Sequence, residues 1–125
     1  MKTILIIEDE RPLLTALSSK LSHEGFSILQ ASDGETGLSM ALEKHPDLIL
    51  LDIVMPKMDG LTMLDMLRRD DWGKTVPIIV LTNLSDAARF EESMRKNVFD
   101  YLIKTDWKIE DVVIKVKEKL QLHDA

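Results

Sequence analysis

Short apolar runs alternate with amphipathic segments along the whole chain, and this alternation limits the folds that the chain can adopt. Five runs rich in Ile, Leu and Val have the length and composition of β-strands: residues 3–8, 26–31, 47–52, 77–82 and 100–104. A segment with helical apolar spacing follows each run: residues 9–25, 32–45, 59–70, 85–97 and the residues from 106 onward. Nearly all-apolar strands that alternate with helices predict a parallel sheet with helices on both faces.

Length and composition exclude several classes of protein. The 125 residues suit one domain, and no run of about 18 apolar residues could span a membrane. The N-terminal apolar stretch is too short and too soon acidic for a secretory signal. The absence of cysteine excludes disulfides and thiolate metal sites, and it fits the cytoplasm, where we expect the protein to act. A net charge of −6 argues against direct nucleic-acid binding.

Polar residues stand where the predicted strands end. Glu8 and Asp9 end the first strand, Asp52 the third, Thr82 the fourth and Lys104 the fifth. Because the carboxyl ends of parallel strands meet at one edge of a sheet, these side chains are expected to converge on a single pocket.

The residue types at this edge indicate phosphoryl chemistry that depends on a cation. Crowded carboxylates repel each other unless a cation lies between them, and Mg²⁺ prefers oxygen ligands such as those of Glu8, Asp9 and Asp52. An aspartate can act as a nucleophile and form an aspartyl phosphate. The Thr82 hydroxyl and the Lys104 ammonium would help to neutralise the phosphoryl oxygens.

Four stretches of the sequence together resemble the receiver domain of two-component response regulators. They are "IIEDE", "LLDIVMPKMDG", "LT" and "DYLIK", each at a predicted strand end, and the similarity covers essentially the whole chain. The resemblance implies a flavodoxin-like (CheY-like) α/β fold, a five-stranded parallel sheet of order 2-1-3-4-5 with helices on both faces. It also implies that residues 1–125 form a single receiver domain without an output domain.

The resemblance assigns the acceptor and the metal ligands. Asp52 matches the phosphoacceptor of the family. Asp9 matches a direct Mg²⁺ ligand, Glu8 a ligand that acts partly through water, and the backbone carbonyl of Val54 a further ligand. Mg²⁺ is therefore the expected cofactor.

The resemblance also assigns the switch residues. Thr82 matches the hydroxyl that moves toward the phosphoryl group, Lys104 the ammonium that pairs with it, and Tyr101 the aromatic side chain that turns inward. The family usually has proline after the lysine, joined by a cis peptide, whereas this chain has Thr105. A cis bond before a residue other than proline costs roughly 3 kcal/mol, and a trans peptide at this position would point Lys104 in a different direction from the lysine of the family.

The function that the resemblance implies is phosphorelay signalling. A sensor histidine kinase or a phosphotransfer protein would donate the phosphoryl group to Asp52. The domain would then change its contacts with a downstream protein through the fourth helix, fifth strand and fifth helix, residues 85–122. A homodimer through the same face is a further expectation, and no contact with a membrane is expected. The protein would not be an enzyme beyond its own phosphorylation and dephosphorylation.

Two other functions stay open at this point. A phosphatase with an aspartyl nucleophile commonly needs a second acid two residues later, where this chain has Val54, so turnover is disfavoured. A receiver-like module that binds partners without phosphate is disfavoured by the acids, Thr82 and Lys104, while Asn83 and Thr105 keep it open. A dinucleotide-binding fold is excluded because the first strand ends in "EDE" and not in a glycine-rich turn.

Overall fold

The computed structural model of the protein describes residues 1–52, 58, 60–82, 100–103 and 108–124. Its elements follow one another as predicted: β1 (Thr3–Ile7), α1 (Arg11–His23), β2 (Ser27–Ala31), α2 (Gly34–Lys44), β3 (Leu48–Asp52), α3 (Gly60–Arg68), β4 (Ile78–Thr82), β5 (Asp100–Ile103) and a C-terminal helix (Ile109–Asp124). The helix predicted over 85–97 lies outside the described residues. The first four strands are each one residue shorter than predicted.

The strands form one parallel sheet of order β2-β1-β3-β4-β5, which confirms the predicted fold. In the register between β1 and β3, Ile7 pairs with Leu51. In the next register Asp52 pairs with Leu81 of β4. The carboxyl ends of β1, β3 and β4 therefore lie level with one another at one edge of the sheet.

β1, β3 and β4 are almost entirely apolar because helices cover both faces of the sheet, whereas β2 also carries Ser27 and an exposed Gln30. Successive side chains of a strand point to opposite faces, so β1, β3 and β4 each contribute to two cores. One core lies between the sheet and α2 with α3, and its buried strand residues are Leu5, Ile7, Ala31, Ile49, Leu51, Ile78 and Val80. The other lies between the sheet and α1 with the C-terminal helix, and its strand residues are Ile4, Ile6, Leu48, Leu50, Ile79 and Leu81.

The start of α2 differs from the prediction. In the sequence, Ser32 and Glu35 have the spacing of a capping box, which predicts Ser32 as the N-cap, but the N-cap is Asp33, whose side chain accepts a hydrogen bond of 2.8 Å from Thr36 N. The helix begins at Gly34, so Thr36 is its third residue, the position whose N–H an N-cap side chain reaches. Ser32 and Asp33 are adjacent and both suited to capping, so the sequence alone does not decide which of them is the N-cap.

One long-range ion pair joins α1 to the C-terminal helix. Lys117 Nζ donates a hydrogen bond of 2.6 Å to Glu24 Oε1, just past the end of α1. The hydrogen bond and the charge of Lys117 lower the pKa of the Glu24 carboxyl from its ordinary value of 4.5. Within the described residues, no helix is long and apolar enough to cross a bilayer.

The ion pair predicts a pH-dependent difference in stability. A carboxyl with a lowered pKa in the folded state stabilises the fold above its ordinary pKa of 4.5, and this contribution is lost as pH falls through the folded-state pKa. We expect Lys117→Met to lower the free energy of unfolding at neutral pH, only slightly because solvent screens the pair, and to leave it unchanged below the folded-state pKa of Glu24. Urea titrations at both pH values measure the difference. Lys115→Met, on the same helix, is the control, and an equal loss at both pH values would contradict the assignment.

Burial on the C-terminal helix predicts a contrast between two substitutions. Leu120 is 4% exposed and packs in the core shared with α1, whereas Ile114 is 55% exposed. Leu120→Ala is expected to lower the free energy of unfolding by about 2–5 kcal/mol, and Ile114→Ala to change it by less than about 1 kcal/mol. Chemical denaturation checks both, and similar losses would show that this helix does not pack as described.

Candidate functional site

Three carboxylates lie together at the carboxyl edge of the sheet. Glu8, Asp9 and Asp52 each offer one oxygen atom, and these atoms all lie within 4.8 Å of one another. The sequence prediction that the acids at the ends of the first and third strands converge is therefore confirmed. No other group of three potential metal-ligating side chains is found among the described residues.

The register of the sheet positions this cluster. Because Ile7 pairs with Leu51, the next residues along the two strands, Glu8 just after β1 and Asp52 at the end of β3, lie side by side. Glu8 follows the last residue of β1, and its N–H still donates a hydrogen bond of 3.0 Å to Ala31 O at the end of β2. The carboxylate of Glu8 accepts a further hydrogen bond of 3.1 Å from Glu10 N. The turn after β1 is thereby tied to the strand end.

Burial differs sharply within the cluster. Glu8 is 0% exposed and Asp52 is 4% exposed, whereas Asp9 is exposed. Two carboxylates thus lie inside the protein and the third faces solvent. A ligand can reach the cluster from the Asp9 side.

The electrostatics of the cluster favour a hard cation. Two like charges 4.8 Å apart repel by roughly 3–4 kcal/mol at the effective dielectric constant of a protein surface. A divalent cation among them replaces this repulsion with attraction. All donors are oxygen atoms, and Mg²⁺ binds through one or two carboxylates together with waters, for which the exposed side of Asp9 leaves room. The residues present therefore fit Mg²⁺.

The other predicted site residues are placed only in part. Thr82 is the last residue of β4, one position beyond Leu81, which pairs with Asp52, so its backbone lies beside the cluster. Tyr101 lies in β5 and pairs with Val80. The structure gives the backbone positions of Thr82 and Tyr101 and not their side chains.

Four further positions fall outside the described residues. They are the predicted metal ligand Val54, the predicted ammonium Lys104, and the two departures from the family pattern, Asn83 and Thr105. The peptide between Lys104 and Thr105 stays untested with them.

The structure adds residues that the sequence did not single out. Asp9 lines a cavity of about 170 Å³ whose other polar lining residues are Arg11, Gln30 and Ser32. The first turn of α2 also reaches the site region, because Gly34 lies against the backbone of Met58, in the segment after β3. Neither feature has a sequence signature, since both depend on how loops from different strands meet.

Comparison with curated proteins identifies the same family over most of the chain. The model of the response regulator receiver domain matches residues 4–117. The DNA-binding dual master transcriptional regulator RpaA of Synechocystis sp. is 34% identical over 124 residues, 99% of this chain and 51% of that protein. The probable transcriptional regulator ycf27 of Porphyridium aerugineum is 39% identical over 101 residues, 81% of this chain and 41% of that protein. The chain spans about half the length of these relatives, or less.

Comparison with solved structures gives the same fold and a metal-bound example. The receiver domain of the sensor histidine kinase PA1611 from Pseudomonas aeruginosa PAO1 was solved with a magnesium ion coordinated in its active site cleft. It superimposes with a TM-score of 0.85 at 26% identity, over 96% of this chain and 98% of that chain. The active site cleft of that receiver therefore holds Mg²⁺, the ion that the three carboxylates of this chain fit.

The crowding of carboxylates predicts opposite effects of Asp9→Asn with and without metal. Without metal, loss of the Asp9 charge relieves a repulsion that solvent screens at this exposed residue, and should raise the free energy of unfolding by about 1 kcal/mol. With excess Mg²⁺ the variant should bind the ion at least about tenfold more weakly, which removes about 1.4 kcal/mol of metal-dependent stabilisation.

Thermal denaturation in chelator and in Mg²⁺ measures both effects, and calorimetry gives the affinity. Asp71→Asn, an exposed carboxyl in the turn after α3, is the control for loss of one negative charge. Unchanged Mg²⁺ affinity in Asp9→Asn would exclude Asp9 as a ligand.

Proposed function

Because the chain belongs to the response regulator receiver domain family, we propose that Asp52 accepts a phosphoryl group and that the domain thereby switches its protein contacts in a two-component pathway. The observation that supports this most directly is the convergence of Asp52 with Glu8 and Asp9 within 4.8 Å. A single carboxylate at a strand end is ordinary, but three at one edge are suited to phosphoryl transfer.

The proposed reaction transfers a phosphoryl group from a phosphohistidine of a sensor kinase or phosphotransfer protein. A carboxylate oxygen of Asp52 forms a bond to phosphorus, the phosphorus–nitrogen bond breaks, and the electron pair stays on the imidazole nitrogen. Glu8, Asp9 and Asp52, with the backbone carbonyl of Val54, would hold Mg²⁺. Bound Mg²⁺ would neutralise charge on the phosphoryl oxygens.

Burial and register support Asp52 as the acceptor over its neighbours. Asp52 is 4% exposed and fixed at the end of a strand that is buried throughout, so its carboxylate has a defined position. Asp9 lies on a turn and is exposed, which suits a ligand that exchanges water. Thr82, one position beyond the strand partner of Asp52, is the proposed hydroxyl contact, and Lys104 the proposed ammonium contact.

We further propose that the phosphorylated domain acts on a downstream protein through residues 85–122, with Tyr101 as part of the switch and a homodimer through the same face as one outcome. Phosphorylation adds charge at one end of the sheet, and a two-state element can transmit that change. Relatives such as RpaA are DNA-binding regulators, but the negative charge of this chain disfavours direct contact with DNA. A cysteine-free sequence suits action in the cytoplasm.

Two alternatives differ from this proposal in testable ways. A phosphatase would turn over substrate, and it lacks the second acid because Val54 stands at that position. A phosphate-independent module would bind its partner equally well with and without phosphorylation. The retained cluster of Glu8, Asp9 and Asp52 favours the phosphorylated switch, since such a cluster costs stability without serving a purely structural purpose.

Phosphorylation by a small-molecule donor tests the proposal. After incubation with acetyl phosphate and Mg²⁺, the intact mass of the protein should increase by one phosphoryl group, because Asp52 acts as the nucleophile. Asp52→Ala should show no increase, and addition of a chelator should prevent the increase in the unaltered protein.

Asp65→Ala, which removes an exposed aspartate of α3, is the matched control and should be phosphorylated normally. The absence of phosphorylation in the unaltered protein would favour the phosphate-independent module. Phosphorylation of Asp52→Ala would move the acceptor to another residue.

A further inference from the structure

We propose that Gly34, the first residue of α2, is a positioning residue for the carboxylate cluster, on which it acts through its contact with Met58 and through the packing of α2 on β1; this inference rests on the proposed role of Asp52 as acceptor. A Cβ atom built on Gly34 would lie 2.1 Å from Met58 O and 3.0 Å from Met58 C. Met58 follows Asp52 by six residues and precedes the start of α3 by two. The first turn of α2 therefore lies against the connection between the acceptor strand and α3.

The space between Gly34 and Met58 admits no side chain. Cβ atoms essentially never lie within 3.0 Å of another heavy atom, and the atom in the way is a backbone carbonyl oxygen, which cannot swing aside as the end of a flexible side chain can. A methyl group at position 34 would force the two backbones apart by about 1 Å. Reacting groups need to be held within about 0.5 Å, and a displacement of 1 Å can slow a reaction about 100-fold.

The position of α2 is fixed on its other side by the sheet. A Cβ atom on Gly37 would lie 2.5, 2.8 and 3.0 Å from Cδ1, Cγ1 and Cγ2 of Ile7, so α2 packs closely on the Ile7 side chain of β1. Ile7 immediately precedes Glu8, and Ala41 of α2 is fully buried. A methyl group on Gly34 therefore either displaces Met58, six residues after Asp52, or lifts α2 from the strand that leads into Glu8, and we expect either movement to disturb the carboxylate cluster.

Two contacts hold Met58 in place. Its carbonyl lies against Gly34, and its side chain, half-buried, packs on the core formed with α2 and α3. These two contacts fix Met58, and the pairing of Asp52 with Leu81 fixes the end of β3.

A second glycine provides a matched control. A Cβ atom on Gly73 would lie 2.1 Å from Leu67 O and 3.0 Å from Leu67 C, the same clash with a backbone carbonyl. Gly73 lies in the turn before β4, at the opposite end of the strands from the carboxylates. Gly34→Ala and Gly73→Ala should therefore strain the backbone similarly, and only Gly34→Ala should strain it beside the site.

The test measures Mg²⁺ affinity by calorimetry and the rate of phosphorylation by acetyl phosphate at saturating Mg²⁺, after circular dichroism has confirmed folding. Gly34→Ala is expected to slow phosphorylation by about tenfold or more and to weaken Mg²⁺ binding, while Gly73→Ala stays within about twofold of the unaltered protein in both. Values for Gly34→Ala within about twofold of the unaltered protein, or an equal loss in Gly73→Ala, would overturn the proposal.

A second pair of variants decides the matter if Gly34→Ala does not fold. Met58→Ala removes the side chain that holds Met58 on the core, and Met40→Ala removes another half-buried methionine side chain packed on the same core. Met58→Ala should be phosphorylated more slowly than the unaltered protein, and Met40→Ala should not. Equal phosphorylation rates of the two variants would overturn the proposal. If the unaltered protein takes up no phosphoryl group, the proposed function fails, and Mg²⁺ affinity alone then decides whether Gly34 positions the cluster.

Discussion

The parallel register between β1 and β3 is the constraint on which the carboxylate site depends. Ile7 pairs with Leu51, and the residues that follow are Glu8 and Asp52. A shift of one residue would move the two carboxylates apart along the strands by about 3.3 Å, a distance comparable with the width of the whole cluster. A cation could then no longer contact both groups.

Apolar patterning alone does not fix that register, because helices cover both faces of the sheet and both strands are apolar throughout. Polar contacts at the opposite end of the strands supply the missing specification. Thr3 N donates a hydrogen bond of 2.7 Å to the Asp47 carboxylate, and Asp47 N donates one of 2.8 Å to Thr3 O. This pair aligns the beginnings of β1 and β3, and the five-residue strands transmit the alignment to Glu8 and Asp52.

The carboxylate site contains interactions that lower the stability of the protein, and the packing of the rest of the domain offsets them. Buried carboxylates lose hydration and repel one another, so they lower stability unless a cation or hydrogen bonds compensate. The two cores on either side of the sheet provide the rigid support for this arrangement. Close packing extends to the connections: Arg68 Nη1 donates to the carbonyls of Gly73 and Val76 at 2.7 and 2.9 Å, and the rings of His45 and Trp72 stack 4.3 Å apart. These contacts fix the ends of the strands opposite the site.

The sequence by itself determined the order and type of the described elements, the parallel sheet, and the identity of the three clustered acids, because these follow from local periodicity and from the polar residues that end apolar runs. The sequence placed the N-cap of α2 one residue too early, because Ser32 and Asp33 are both residue types that cap helices. Only the tertiary structure decided that Glu8 is buried and the adjacent Asp9 exposed, and that Gly34 touches Met58. The reason is physical: burial and close backbone contact depend on which distant segments meet, and residues 24 positions apart leave no periodic trace of that meeting in the chain.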